Sequence, residues 1–211
     1  EIRIGELASM TGGTAHFGQA THEGLLLATE EANAAGGILG KQIRIITADD
    51  QSRPEEAKTA ALKLIKQDQV HAILGEVASS RTLAAAPEAQ RNQIPMISPS
   101  STNPKVTEVG DFIFRGCFID PFQGYVMAKF AYENLNVRKV VILKDIKNDY
   151  SVGLAQYFEK TFKELGGTIL GIESYSEGDI EFRPQLTSLK ALDAEAIYVP
   201  GYYIEMGLSG R

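Results

Sequence analysis

With one cysteine, Cys117, among 211 residues, the chain can form no internal disulfide and no cysteine-based zinc site. Cys117 lies inside the apolar run from Phe114 to Ile119 and reads as a buried small hydrophobe. The three histidines, His16, His22 and His71, are scattered, with no H-x-x-x-H spacing and no carboxylate at a matching offset. That argues against a metal centre and against a His-based catalytic dyad. No serine sits in a G-x-S-x-G elbow, so the nucleophile of an α/β hydrolase is missing. Basic residues form no cluster: Lys58, Lys63 and Lys66 share a helical stretch with Glu55 and Glu56, and the net charge is −6 with a pI near 5.2. Nucleic acid is therefore not an expected partner. No apolar run approaches the roughly 20 residues that span a bilayer. The chain starts on strand-like Ile2-Arg3-Ile4-Gly5 rather than on a charged and then apolar leader. The expectation is either a cytoplasmic protein or one whose leader has been removed, and composition does not choose between them.

What the chain does have is apolar material, 44% of its side chains, enough for one medium domain or two small lobes. Strand-like runs at Ile2 to Leu7, Gln42 to Ala48, His71 to Gly75 and Ile94 to Ser98 alternate with helical patterns at about Gln19 to Ala35, Arg53 to Gln67 and Arg81 to Gln93. This βαβαβαβ order predicts a parallel sheet with helices on both faces. The second helix shows its buried stripe as Ala57, Ala60, Ala61, Leu64 and Ile65, and Ser52 followed by Glu55 predicts a capping box at its start. The first helix runs into Gly36-Gly37, which fits a left-handed exit.

A change comes at Phe112 to Asp120. Phe112-Ile113-Phe114-Arg115 is strand-like, and Asp120-Pro121-Phe122-Gln123 supplies an N-cap, an N1 proline and an N3 glutamine for a new helix. The alternation then restarts: helix to about Leu135, strand Lys139 to Leu143, helix Ser151 to Leu165, strand Thr168 to Tyr175, helix Ile180 to Lys190, strand Ala196 to Pro200. Helix Ser151 to Leu165 carries Leu154, Tyr157, Phe158, Thr161, Phe162 and Leu165 on one stripe and Gly166-Gly167 at its exit. The expected organisation is a first lobe of residues 1–118 and a second lobe of residues 119–211, with a hinge near Gly116 to Pro121. The second lobe, with three clear strands, reads as incomplete.

Several candidate sites dissolve on inspection. Gly36-Gly37-Ile38-Leu39-Gly40-Lys41 has the look of a phosphate loop, but its glycines follow a helix and precede a strand, so their amides do not converge at a helix N-terminus. Asp49-Asp50 at the end of the second strand could hold Mg²⁺ as in a phosphoacceptor domain, yet the neighbouring strand ends, Gly75-Glu76 and Glu6-Leu7-Ala8, offer no matching ligand set. Opening the loop and capping before Ser52 is the expected role. Two hydroxyl-rich turns survive: Val77-Ala78-Ser79-Ser80 and Ser98-Pro99-Ser100-Ser101-Thr102-Asn103-Pro104. Each follows a strand, and the helix between them makes the strands parallel neighbours whose carboxyl ends open on the same sheet edge, where open α/β sheets bind small molecules. A serine there is ordinarily an N-cap, but this many hydroxyls exceed what capping requires. Helix N-terminal amides favour an anion such as a carboxylate, while strand-end carbonyls and a threonine hydroxyl can accept from an ammonium. Together they suit the head group of an amino acid. Pro87, inside the helix that follows Ser80, predicts a kink or an early stop.

At this point the residues match a known family. Ala32-Asn33-Ala34-Ala35-Gly36-Gly37, Asp49-Asp50-Gln51-Ser52, Val77-Ala78-Ser79-Ser80, Ile97-Ser98-Pro99-Ser100-Ser101-Thr102-Asn103-Pro104, Asp111-Phe112-Ile113-Phe114-Arg115 and Gly201-Tyr202-Tyr203 closely resemble the leucine/isoleucine/valine-binding proteins. These are type I periplasmic solute-binding proteins of ABC transporters. The resemblance runs over nearly the whole chain and implies an α/β fold of two Rossmann-like lobes joined by a hinge and closing on a ligand. It implies that Ser79 and Thr102 bind the ligand carboxylate and ammonium, that Ser100 contributes its backbone carbonyl, and that Tyr150 and Tyr202 close over the ligand from the second lobe. Phe17 and Val77 would line the side-chain pocket, where apolar contact selects aliphatic chains. Two departures stand out. Gly13 sits where the family often has proline, and the family continues well past residue 211, supplying an acidic residue for the ammonium and further strands of both lobes. The chain is accordingly expected to be truncated on its C-terminal side, with Ser209-Gly210-Arg211 a foreign tail, and to self-associate or pair with the missing segment.

The first functional reading is a non-enzymatic, extracytoplasmic solute-binding component of amino-acid import, probing for branched-chain amino acids and delivering them to a membrane permease, with no metal and no cofactor. The same fold used as a ligand sensor, or for aromatic acids or amides, is the runner-up. A doubly wound enzyme or phosphoacceptor domain is the rival from another class, and it would need a strand-end acid or nucleophile paired with a base.

Overall fold

Alternating strands and helices run through the whole computed structural model, which describes residues 1–211. They form two compact units, Glu1–Cys117 and Phe118–Arg211. The first holds β1 (Ile2–Ala8), α1 (Ala15–Ala34), β2 (Ile43–Asp49), α2 (Pro54–Lys66), β3 (Ala72–Gly75), α3 (Ser79–Arg91), β4 (Met96–Ser98), the single turn α4 (Lys105–Glu108) and β5 (Ile113–Arg115). Its five strands lie in the order β2-β1-β3-β4-β5 and every pairing is parallel. Parallel strands joined by helical crossovers all point the same way. Registers such as Ala8↔Asp49, Leu7↔Gly75 and Ser98↔Arg115 therefore bring the carboxyl ends of all five strands to one edge.

The stripe expected on α2 is buried throughout, with Ala57, Ala61 and Leu64 at 0% exposure. It packs with Leu7, Ile73, Met96, Ile113 and the α3 residues Ala85, Ala86 and Ala89 into one core. Small alanine side chains on both α2 and α3 let the two helices approach each other over the sheet. α1 ends as its sequence predicts: Gly36 and Gly37 adopt φ of 102° and 75°, and their amides donate to the carbonyls of Asn33 and Ala32, the left-handed Schellman exit that glycine permits.

The second unit holds α5 (Asp120–Lys129) running into one π-helical turn (Phe130–Asn134), β6 (Lys139–Asp145), α6 (Asp149–Glu164), β7 (Thr168–Tyr175), α7 (Arg183–Lys190), β8 (Ala196–Tyr198) and α8 (Tyr203–Ser209). Its sheet is parallel in the order β7-β6-β8. Central β6 is apolar on both faces because each is covered. Val140 and Ile142 pack with Ala155, Phe158 and Phe162 on one side, and Val141 and Leu143 with Tyr175, Phe182 and Leu189 on the other. α5 lies against α6 at Gly124, where a Cβ would fall 2.6 Å from Tyr157 Cβ and 2.8 Å from Phe158 N, so only glycine fits that approach.

Four local expectations are corrected. The capping box at Ser52/Glu55 does not form: Arg53 is the N-cap of α2 and offers no side-chain cap, because the Ser52 hydroxyl is drawn to the Thr11 carbonyl at 2.9 Å. Asp120 is the first helical residue of α5 and not its N-cap, which is Ile119, and Gln123 donates to the Tyr150 hydroxyl instead of capping. Pro87 does not stop α3, which continues to Arg91, since the helix is held by its buried face. Cys117 is partly exposed rather than buried, at the junction of the two units.

Candidate functional site

The first hydroxyl-rich turn starts at Gly75, which adopts φ 116°. A Cβ there would meet the Leu7 carbonyl oxygen at 1.9 Å, so glycine alone can bring β3 this close to β1 at the sheet edge. Next comes Glu76, fully buried beside the equally buried Asp50 and Arg81. Arg81 Nε lies 3.1 Å from Glu76 Oε2 and 3.9 Å from Asp50 Oδ2, and its Nη2 donates to Thr14 Oγ1 at 2.8 Å. The Ser9 hydroxyl bridges the two acids, 2.6 Å from Asp50 Oδ1 and 3.1 Å from Glu76 Oε1. Asp50 Oδ1 also accepts from the Ser52 amide at 2.9 Å. Burial, and then the charge of Glu76, push the Asp50 carboxyl up to about 7, against the opposing pull of the Ser9 hydroxyl and Arg81. Neighbouring Asp49 behaves differently. It caps its loop as the sequence predicts, accepting from the amides of Met10, Thr11 and Gln51 and from the Thr11 hydroxyl, and those hydrogen bonds leave its carboxyl below the usual range despite the opposing effect of burial.

α3 begins at Ser79, whose buried hydroxyl accepts from the Asn103 amide at 3.2 Å. That bond joins the first turn to the second. The second turn is wound on itself by the Ser98 hydroxyl, which accepts from the Ser101 amide at 2.9 Å and donates to the Glu76 carbonyl at 2.5 Å. Ser101 Oγ lies 2.7 Å from Thr82 Oγ1 and 3.0 Å from the Glu76 and Val77 carbonyls. The Ser100 hydroxyl reaches the Val77 carbonyl at 3.1 Å. Thr102 breaks the pattern. It is 7% exposed, and its Oγ1 is buried with no hydrogen-bond partner, in the middle of a turn where nearly every other hydroxyl is engaged. Buried polar atoms are ordinarily satisfied, so this one marks a place where a partner is wanted.

Arg115, at the end of β5, holds the second turn from below. Its Nη1 donates to the Ser101 and Asn103 carbonyls at 2.9 and 2.7 Å, and its Nη2 to the Pro104 carbonyl and Thr107 Oγ1 at 2.9 and 2.8 Å. Arg115→Met would strip four acceptors of a charged donor. Urea melts should show a loss of about 2–3 kcal/mol, with Arg115→Lys intermediate because an ammonium lacks the planar fork. A loss indistinguishable from zero would show that the turn holds itself.

The structure thus brings Val77, Ser79, Ser100 and Thr102 together in the first unit. Phe17 lies in the first turn of α1, 39% exposed. In the second unit Tyr150 and Tyr202 stack, their ring centroids 5.6 Å apart and their planes within 4°. Tyr150 is set by Asn148, the N-cap of α6, which accepts from its amide at 3.0 Å. Its hydroxyl accepts from Gln123 Nε2 at 3.1 Å, and burial raises its pKa. Tyr202 is the N-cap residue of α8.

The buried acids and arginine under the turns were not singled out from sequence, apart from Asp50 as a loop residue. Ser9 and Glu76 lie 67 positions apart, and Asp50 and Arg81 come from other elements again, so no local spacing links the four. The one available signal was the placement of single charged residues, Glu76 at a strand end and Arg81 in the first turn of a helix, among small and apolar neighbours.

Comparison with known proteins places this arrangement in a family. Residues 1–202 match the family model described as periplasmic binding protein, and the chain belongs to that family. A Leu/Ile/Val-binding protein homolog from Brucella melitensis is 33% identical over 212 residues, covering 100% of this chain and 57% of its own length. Among solved structures, a leucine-binding protein LivK from Thermotoga maritima superposes with a TM-score of 0.93 at 42% identity, over 100% of this chain and 59% of that one. The branched-chain amino acid substrate-binding protein LivJ of Streptococcus pneumoniae, solved with isoleucine, gives 0.91 at 40%, over 98% and 58%. The chain spans 55–57% of the length of the first curated relatives it matches. The fold is the α/β type I periplasmic binding protein fold, with parallel sheets flanked by helices, and the family is one of binding proteins and not an enzyme class.

Proposed function

We propose that this chain belongs to an extracytoplasmic substrate-binding protein of an ABC importer and captures a branched-chain amino acid for a membrane permease. The observation that supports this most directly is the buried, unpartnered Thr102 hydroxyl beside the start of α3. In this reading Thr102 and Ser79 engage the ligand head group through charge-assisted hydrogen bonds, with the α3 dipole favouring the carboxylate. The Ser100 carbonyl accepts from the ammonium. Val77 and Phe17 select an aliphatic side chain by apolar contact. Tyr150 and Tyr202 give the second unit its share of the ligand, so residues 1–118 and 119–211 act as two lobes with the crossing at Gly116 to Pro121 as their hinge.

Ligand that binds only the folded state raises stability by RT ln(1 + [L]/Kd), about 4 kcal/mol at a thousand-fold excess over Kd. L-leucine, L-isoleucine or L-valine should therefore raise the melting temperature, and L-lysine and 4-hydroxybenzoate should not. A shift with 4-hydroxybenzoate alone would move the reading to aromatic acids. No shift with any aliphatic amino acid would remove it.

A further inference from the structure

The geometry points to Glu76 as the positioning residue of the head-group site, its side chain setting the Ser79 turn while its backbone carbonyl sets the Thr102 turn. The inference rests on the head-group reading above and adds to it a residue that touches no ligand. Glu76 Oε2 accepts from the Ala78 amide at 2.5 Å and from Arg81 Nε at 3.1 Å. Ala78 is the N-cap of α3, so this bond fixes where the helix starts and therefore where Ser79 stands. Oε1, 3.1 Å from the Ser9 hydroxyl, anchors the same carboxylate to the end of β1. The Glu76 carbonyl faces the other way. Thr82 Oγ1, Ser98 Oγ and Ser101 Oγ lie 2.9, 2.5 and 3.0 Å from it. Two of these hydroxyls belong to the second turn, immediately before Thr102. One residue thus spans both turns, and its fixed side chain prevents the carbonyl from rotating away from Ser98 and Ser101.

The position is also rigid in the energetic sense. Glu76 is completely buried and shares Arg81 with Asp50, so moving the carboxylate would break a desolvated ion pair, for which no solvent is at hand to compensate. Binding sites hold their geometry when the residues behind them are locked in this way. Ser79 and Thr102 are then poised before ligand arrives, and the ordering of two loops is not charged against affinity.

The test is a double-mutant cycle read by calorimetry with L-leucine. Ser79→Ala and Glu76→Gln should each weaken binding by about ten-fold or more. The double variant should fall within about three-fold of the weaker single variant, because both act through the same turn. Leu64→Ala, which opens the core of the same unit away from the turns, serves as the control for lost stability and should leave leucine affinity unchanged. If Glu76→Gln does not fold because Arg81 is left uncompensated, Glu76→Gln/Arg81→Met removes both charges and replaces it in the cycle.

Unchanged affinity in the Glu76 variant, or losses that multiply in the double variant, would overturn the positioning role while leaving the head-group site intact. A comparable affinity loss in Leu64→Ala would also overturn it, since stability alone would then explain the effect. Silence of both Ser79→Ala and Thr102→Val would instead remove the head-group reading, and the positioning role with it.

Discussion

Thr102→Val should weaken L-leucine binding by about ten-fold or more while leaving the ligand-free protein as stable as before or more stable. Valine has the shape of threonine without its hydroxyl. In the free protein that hydroxyl is buried and unpartnered, a condition that costs about 1–3 kcal/mol, so removing it relieves a penalty of up to about 1 kcal/mol net of repacking. With ligand bound, the same hydroxyl would face a charged head group, and a hydrogen bond to a charge contributes about 1.5–3 kcal/mol. Affinity and stability therefore move in opposite directions. Calorimetry with leucine and urea melts without it would separate them. Unchanged affinity, or a clear loss of ligand-free stability, would show that the hydroxyl serves the fold.

Arg81→Met is expected to be among the most destabilising single changes in the first unit, at about 3–5 kcal/mol near neutral pH. Arg81 is 2% exposed and faces two carboxyl groups at 0% exposure, which would lose the guanidinium and keep only the Ser9 hydroxyl bridging them. The loss should shrink on acidification. Asp50 titrates at about 7 in the folded protein against an ordinary value of 3.8, so between those limits the folded state holds a proton that the unfolded state releases. Its contribution to stability is fully present below the ordinary carboxylate value and falls as pH rises through about 7, at no more than about 1.4 kcal/mol per pH unit. Removing Arg81 removes one influence that holds the Asp50 carboxyl down, so the variant should lose stability more steeply with rising pH than the parent. Asp50→Asn should flatten the profile. Urea midpoints measured from about pH 5.5 to about pH 8 check all three, and parallel profiles would show that the cluster does not titrate in this range.

Much of the fold was legible in the sequence because it rests on local periodicity. The α2 stripe, the Gly36-Gly37 exit and strand Thr168–Tyr175 were read directly from apolar spacing and glycine position, and the structure bears them out. Two adjacent turns on neighbouring parallel strands followed from the helix between them. Where the reading failed, a side chain had a distant partner. Ser52 was expected to cap α2, but its hydroxyl is taken by Thr11. Gln123 was expected to cap α5, but it reaches Tyr150. Pro87 is a different case: of the kink or early stop expected there, the stop does not occur, and α3 runs on to Arg91 with Ala85, Ala86 and Ala89 fully buried.

The sequence by itself determined the alternation of strands and helices, the parallel direction of the first sheet and the sheet edge at which hydroxyl-rich turns would collect, because each depends on residues within one turn or one crossover of each other. Only the tertiary structure decided that Ser9, Asp50, Glu76 and Arg81 form one buried cluster beneath those turns, that Arg115 holds the carbonyls of the second turn, and that the Thr102 hydroxyl in that turn is buried without a partner. Those contacts join residues from different strands across tens of positions, and no local pattern encodes them. They arise when the strand ends meet at one edge and water is excluded, so that each polar group must take the partners within its reach.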